Sequence, residues 1–448
     1  MSAKITTLVP RKLIKPIVLA GGYGGRLNAL SDPERNRYPV AKGVVPIGAK
    51  RSIDFSLDAI KRLGVRQADL TVWHLPHTIE QLVRPSADFQ IRYNKERLQD
   101  PLDTAGPVVS ITKEYGWDSV KQNVILVQSS DIVHNIPLDM VLETHIKNGA
   151  AATIVANPVS WDQIHRFGTV RLEGMPQRSD FKSEIEFEDA VGAWIIENES
   201  ASARILEFRE KSPRFNPDPG KSCLSNLNNS SIYIFNAELL RNLMTIMTKK
   251  GKNEPLFPEL YKNGGPAPFS DWGRHIFQWL TEPRNSKKFP FYAFVIPGEY
   301  YWKDIGMGED VRQANMDVLN SRIEGGLGDF KKEPWGWRGE NVFVDPSARI
   351  TRSLIADNTI IGPGARLDEA VIRENTIVEE NVHIYRSVVF PRPYERSEPN
   401  RIGKGARLIE CLFLGGEILP DAKYERKMVY SPLGGAAIDS LFDKVDIP

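Results

Sequence analysis

The sequence predicts an α/β domain built on a mostly parallel sheet, followed by a parallel β-helix. Three observations lead there. From Lys15 to about Leu319, short apolar runs alternate with helical stripes, the grammar of strand–helix–strand units. After about Asn320, apolar or small residues recur at Val342, Ala348, Leu354, Ile360, Ala365, Val371, Ile377, Val382 and Val388. Steps of five or six fit neither the helix nor the strand period and suit a coil that turns a corner every six residues. Finally, 448 residues exceed what one ordinary core holds.

In chain order, Ile17 to Ala20 is a wholly apolar run, suited to a central strand buried on both faces. A helix follows at 52–63: Ser52 caps it, Ile53, Leu57 and Ile60 share a face, and Gly64 stops it. Strands are expected at Asp69 to Trp73, Asn123 to Val127 and Ala151 to Ala156. Leu138, Leu142 and Ile146 stripe a helix that ends at Gly149. Gly325 to Gly328 and the tryptophans near Pro334 read as a linker, with Trp335 and Trp337 packing the domain junction. The Pro- and charge-rich stretch from Phe390 to Asn400 interrupts the later rhythm, which resumes near Ile402, so an excursion loop is expected there.

Composition narrows the function. Lys and Arg number 58 against 57 Asp and Glu, a net charge of +1, which offers no broad cationic face for nucleic acid or a membrane surface. With 41% hydrophobic and 26% charged residues, the chain buries a core and stays soluble. Cys223 and Cys411 are too few for a disulfide framework and too far apart for a CxxC metal site. No run of about 20 apolar residues exists to span a bilayer, and a reducing cytoplasm is the expected compartment.

The chemistry concentrates after the first strand, in Leu19-Ala20-Gly21-Gly22-Tyr23-Gly24-Gly25-Arg26. Glycines here let backbone N–H groups converge on an anion, and Arg26 adds a planar cation for phosphate oxygens. The spacing is neither GxGxxG nor a P-loop, which weighs against hydride transfer and ordinary ATPase work. Lys42, in an apolar stretch before the first long helix, is placed to neutralise charge at a phosphorus.

These motifs resemble the sugar-nucleotide pyrophosphorylases, the sugar-1-phosphate nucleotidyltransferases. Their pattern continues in order: Pro101 to Gly106 resembles PLGTAG, Ser129-Ser130-Asp131 a metal aspartate at a strand end, and Phe167-Gly168 the sugar-contacting turn. Phe208 to Pro213 is similar to FxEKP, Asn229 to Phe235 to NxGIYxF, and Tyr301 to Gly306 to WxDIG. The resemblance implies a Rossmann-like nucleotidyltransferase domain at 1–320, a linker at 321–340 and a left-handed parallel β-helix at 341–448. It implies an NTP and a sugar 1-phosphate as partners, Mg²⁺ on Asp131 and Asp304, and Arg26, Lys42 and Asp131 as catalytic groups. Leu19, Ala20, Gly21, Gly22, Gly24, Arg26, Thr104, Ala105 and Gly106 would bind nucleotide. Gly168, Glu210, Lys211, Asn229 and Ser231 would bind the sugar phosphate. Positioning and charge neutralisation carry such a reaction, since little covalent work falls to the protein.

Four departures stand out: Gly43 replaces a proline, Asp103 a glycine, Ser212 precedes Pro213, and Ser230-Ser231 lacks a glycine. Ser52 to Leu57 and Ala314 to Leu319 look like ADP-glucose pyrophosphorylase, whereas PLDTAG and Asp271 to Arg274 look like the mannose-1-phosphate guanylyltransferase or thymidylyltransferase branches. Asp103 could read guanine N1 and N2. Two readings of other classes compete. One is a non-catalytic sugar-nucleotide binder; the other is a bifunctional enzyme whose β-helix transfers an acyl group with His383 as base. His74 and His77 have the spacing of a metal pair, but Pro76 argues against it. The flat faces and open ends of a β-helix lead us to expect a homo-oligomer.

Overall fold

A computed structural model describes residues 9–34, 36, 39–96, 103–249, 271–391, 398–430 and 437–440. The first domain contains, in order, β1 (Ile14–Leu19), α1 (Ser52–Arg62), β2 (Gln67–Val72), α2 (Pro76–Leu82), β3 (Gln90–Lys95), α3 (Gly106–Glu114) and β4 (Val124–Ser129). There follow β5 (Ile132–His134), α4 (Leu138–Lys147), β6 (Ala152–Pro158), β7 (Gly168–Leu172), α5 (Glu184–Glu197) and β8 (Ser202–Glu210). Last come β9 (Leu227–Asn236), α6 (Ala237–Lys249), β10 (Phe291–Val295), β11 (Trp302–Asp304) and α7 (Gly308–Leu319).

Nine strands form one sheet in the order β3-β2-β1-β4-β9-β6-β10-β8-β7. Pairings from β3 to β4 are parallel, as is β6 with β10. Those of β9 with β4 and β6, and of β8 with β10 and β7, are antiparallel. The sheet is therefore mixed, which corrects the mostly parallel expectation. β9 is inserted between β4 and β6 and runs against both, and β8 runs against both of its neighbours. Ile17 and Val18 of β1 are fully buried between the sheet's two apolar layers.

The first helix spans Ser52–Arg62, and Gly64 ends its turn at φ +74°. Ser52 is not its cap. Asp54 accepts from the Arg51 N–H at 2.8 Å, so the helix start is satisfied without Ser52. The Ser52 hydroxyl instead donates to the Gly43 carbonyl at 2.8 Å, tying the helix to the turn that presents Lys42.

The second domain is a coil of three sheets whose turn-to-turn pairings are parallel, the arrangement of a parallel β-helix, with antiparallel strands Lys331–Glu333 and Ala437–Ser440 at the two ends of the largest sheet. Phe343 pairs with Ile360 and Ile360 with Ile377, a rung of 17 residues. Across the expected excursion the step widens, Ile377 pairing with Arg401; residues 392–397 of that stretch lie outside the described residues. Gly336–Arg338, within the expected linker, pairs in parallel with Ser353–Ile355.

The six-residue rhythm does not mark one interior face. Val342, Ala365 and Val382 lie within the coil. Leu354, Val371 and Val388 instead face the first domain, with Ile355, Ile372 and Val389 taking the interior. Ile360 points outward, 43% exposed, beside the interior Ile361. Successive side chains on a strand point to opposite faces, so where both are apolar a pattern cannot choose between them. Trp337 packs on the cluster joining the domains and Trp335 on the coil interior. His383 lies half-buried in register between Arg366 and Arg407; burial, then those two guanidinium groups, lower its pKa.

Hydrogen bonds also join the domains. Buried Arg373 donates to the Gly48 carbonyl at 2.8 Å, and Arg312 of α7 donates to the Arg386 carbonyl at 3.2 Å.

Candidate functional site

β1 and β4 are adjacent and parallel, and their carboxyl ends open into a cleft, as expected of such sheets. Two adjoining cavities of about 410 and 290 Å³ occupy it, sharing Leu19, Lys42, Thr104, Ser129 and Asp131 as common lining.

The larger cavity is walled by Leu19 at the end of β1, by Ala20, Gly21 and Gly22 after it, and by Asp103 and Thr104. Gly24 does not line it. Its φ of +70° turns the loop, and the Ser31 hydroxyl closes that turn by donating to the Tyr23 carbonyl at 3.0 Å. Ala105 and Gly106 are buried at the start of α3, and neither lines either cavity. Pro101 and Leu102 lie outside the described residues. Trp73 and Glu96, which sequence reasoning did not single out, also line this space.

The smaller cavity gathers Gly168, Glu210, Lys211, Asn229 and Ser231, brought together from β7, β8 and β9. A Cβ at Gly168 would lie 2.6 Å from a Glu210 carboxylate oxygen, and one at Gly273 would lie 2.3 Å away. The Glu210 carboxylate is therefore seated between two glycines. Burial raises its pKa against the opposing Lys211 ammonium, with Asp271 adding to the rise. Asn229 holds the β9 backbone in place by accepting from the Ser231 N–H at 3.2 Å.

Where the cavities meet, the charges alternate. The Lys42 ammonium contacts Asp131 directly and lies 4.0 Å from Asp304. Antiparallel pairing of β5 and β11 matches Asp304 with Ile132, beside Asp131, which is how acids so distant in sequence converge. The Ser129 hydroxyl donates to the other Asp131 oxygen. Arg26 approaches Asp304 at 3.9 Å, and Arg166 at 3.1 Å. Burial opposes the charge on Asp131, but Lys42 and the Ser129 hydroxyl hold its pKa below the ordinary value. Burial raises that of Asp304, with Lys42 opposing and Asp131 adding to the rise. For Lys42, burial is outweighed by the two carboxylates, and its pKa is raised.

Asp131 and Asp304 thus present hard oxygen donors on either side of the Lys42 ammonium. Among the described residues no set of three His, Cys, Asp or Glu side chains converges as a metal site. Two carboxylates completed by phosphate oxygens and water fit Mg²⁺, whereas zinc asks for three or four protein ligands. His74 is engaged elsewhere, its ring 2.7 Å from the Ser31 carbonyl, and Pro76 begins α2 after it.

Arg166 was missed by sequence reasoning, although it directly precedes the Phe167-Gly168 turn. Among the described residues, no helix is long and apolar enough to cross a membrane.

Comparison with known proteins agrees with this geometry. The chain is similar to the glucose-1-phosphate adenylyltransferase of Desulforamulus reducens, 26% identical over 429 residues that cover 90% of this chain and 82% of the relative. It is also 26% identical over 362 residues to the enzyme of that name from Geobacillus stearothermophilus, covering 76% of this chain and 75% of the relative. With that from Clostridioides difficile it shares 24% identity over 368 residues, 78% of each chain. The profile of the family described as "Nucleotidyl transferase" matches residues 15–321, a span that holds every charged group at the junction of the two cavities. The chain belongs to the nucleotidyl transferase family.

Proposed function

We propose that this protein joins an NTP to a sugar 1-phosphate, releasing pyrophosphate, with ATP and glucose 1-phosphate as its substrates. The carrying observation is the position of Lys42, between Asp131 and Asp304 at the meeting point of two cavities. The names of its relatives supply the choice of base and sugar.

In this reading the larger cavity takes the nucleotide and the smaller one the sugar phosphate. A phosphate oxygen of the acceptor forms the new bond to the α-phosphorus, and the α–β bridging bond breaks to release pyrophosphate. Arg26 and the glycine-loop amides hold the departing phosphates, Lys42 steadies the α-phosphoryl group, and Lys211 holds the acceptor phosphate. Glu210, Gly168 and Asn229 face the sugar. Asp131 and Asp304 would hold Mg²⁺, which when bound offsets phosphate charge. The remaining parts of the proposal are a catalytic unit at 1–320 leading through 321–340 to a left-handed coil, a cytoplasmic location and a homo-oligomeric assembly.

The test is pyrophosphate release from ATP, GTP, UTP and dTTP, each with glucose 1-phosphate and mannose 1-phosphate. The ATP and glucose 1-phosphate pair should be fastest, and Lys42→Met should slow it by about 10²–10³-fold, as loss of a transition-state charge partner does. Tight nucleotide binding without turnover for any pair would refute the proposal in favour of a binding-only protein.

A further inference from the structure

Arg166 stands at the end of the short turn Ile164–Arg166, with its side chain only 8% exposed. Its guanidinium spans two carboxylates. One nitrogen donates to Asp304 Oδ2 at 3.1 Å, and the fork closes on Asp310 at 3.2 and 2.6 Å. Asp310 is itself fixed, since its Oδ2 accepts from the Met307 N–H at the start of α7 at 3.0 Å. The guanidinium also lies over the Phe167 ring, 5.3 Å from its centroid. A bidentate planar cation on a capped helix is a rigid anchor.

Asp304 lacks such rigidity of its own. The terminal torsion of an aspartate is soft and roughly two-fold, and Gly306 leaves open the space beside the carboxylate where a Cβ would lie 2.6 Å from Oδ2. Arg166 takes Oδ2, while Oδ1 faces Lys42 at 4.0 Å. Arg26 is too exposed and too distant at 3.9 Å to do the same.

We propose that Arg166 is a positioning residue: it fixes the rotation of Asp304 so that one oxygen points to the cation and phosphates, and it takes its own bearing from Asp310 and α7. This rests on the function proposed above. Arg166 is not offered as a substrate ligand, because its terminal nitrogens are already committed to the two acids.

The experiment combines Mn²⁺ titration by electron paramagnetic resonance with steady-state kinetics. Arg166→Gln should weaken Mn²⁺ binding to the full chain by about 10-fold or more, the usual cost of losing a partner that orients a metal ligand. It should lower kcat to a similar degree and leave the KM for glucose 1-phosphate within about twofold. Arg166→Lys, which can reach only one of the two acids, should recover part of the loss. Unchanged Mn²⁺ affinity and kcat in a folded Arg166→Gln chain would overturn the proposal, and so would a loss confined to the sugar-phosphate KM. Should Arg166→Gln not fold, Asp310→Asn decides: it keeps the acceptor for Met307 but weakens the fork, and unaltered Mn²⁺ affinity would count against the role. If the unmodified protein releases no pyrophosphate, the functional reading falls, while the Mn²⁺ titration still decides whether Arg166 orients Asp304.

Discussion

Gly43 stands where the resembled motif has proline, and its surroundings explain why. A Cβ at this position would lie 2.7 Å from the Ser130 hydroxyl and 2.9 Å from its Cβ, closer than side chains pack. Ser130 is buried beside Asp131, so the small residue at 43 and the serine at 130 form one fitted pair. Gly43→Pro should therefore destabilise the chain by about 1–3 kcal/mol through overpacking, and adding Ser130→Gly should restore most of it. Urea unfolding of the single and double variants checks this, and a double variant no more stable than Gly43→Pro would contradict it. Two other departures share a backbone cause. Asp103 and Ser231 replace glycines of the motifs yet keep left-handed conformations, with φ of +59° and +58°, so the loop geometry survives at a strain of order 1 kcal/mol each. The charged residues that converge at the candidate site stood out in the sequence because their types are those that phosphate chemistry would use. Arg166 was not, because its role depends on Asp304 and Asp310 meeting it from another strand and helix, which spacing alone does not reveal.

Elements with a clear period were legible to within a few residues. The strand at Ile14–Leu19, the helix at Ser52–Arg62 and the helix at Leu138–Lys147 fall where apolar spacing put them. The direction of β9 was not legible, since antiparallel entry depends on where the long connection returns rather than on the strand's own residues. The packing of α4 and β5 carries a consequence for pH. On α4, His145 Nδ1 lies 2.8 Å from the Thr153 hydroxyl of β6, and His134 Nε2 of β5 lies 2.8 Å from the Gln128 side chain. Burial lowers their pKa values from 6.5 to about 4 and about 3, respectively. Both stay neutral in the folded chain while the unfolded chain takes up protons below pH 6.5. Their contribution is complete above that pH and is lost progressively as pH falls towards the folded values, at roughly 2 kcal/mol for each histidine by pH 5. Denaturant unfolding at pH 7 and pH 5 measures the loss. His145→Gln should reduce it by about half of the two-histidine total, and an unaltered difference would exclude His145 as a source.

At the scale of the whole molecule, the β-helix was readable as a rhythm, but its faces were not. One face packs on the first domain, and another sets Phe343, 56% exposed, in register with Ile360 and Ile377. That outward apolar ladder is where we expect a second copy to dock, because apolar surface of this kind gains most by leaving water. Light scattering after size-exclusion chromatography should give a mass above one chain, and Ile360→Glu should shift it towards a single chain. A monomer at working concentration for the unmodified protein would remove the expectation. The face that packs on the first domain has a different consequence. Leu354, Val371 and Leu412 share one apolar cluster with Val45, Ile47 and Val311, and Arg373 reaches across to Gly48, a few residues from the Lys42 turn. The two halves are thus cut to one another along a common seam. Evolution cannot readily exchange the tail of this chain for that of a cousin: a recombinant would have to inherit both sides of the seam together, or leave the Lys42 turn resting on a surface shaped for someone else.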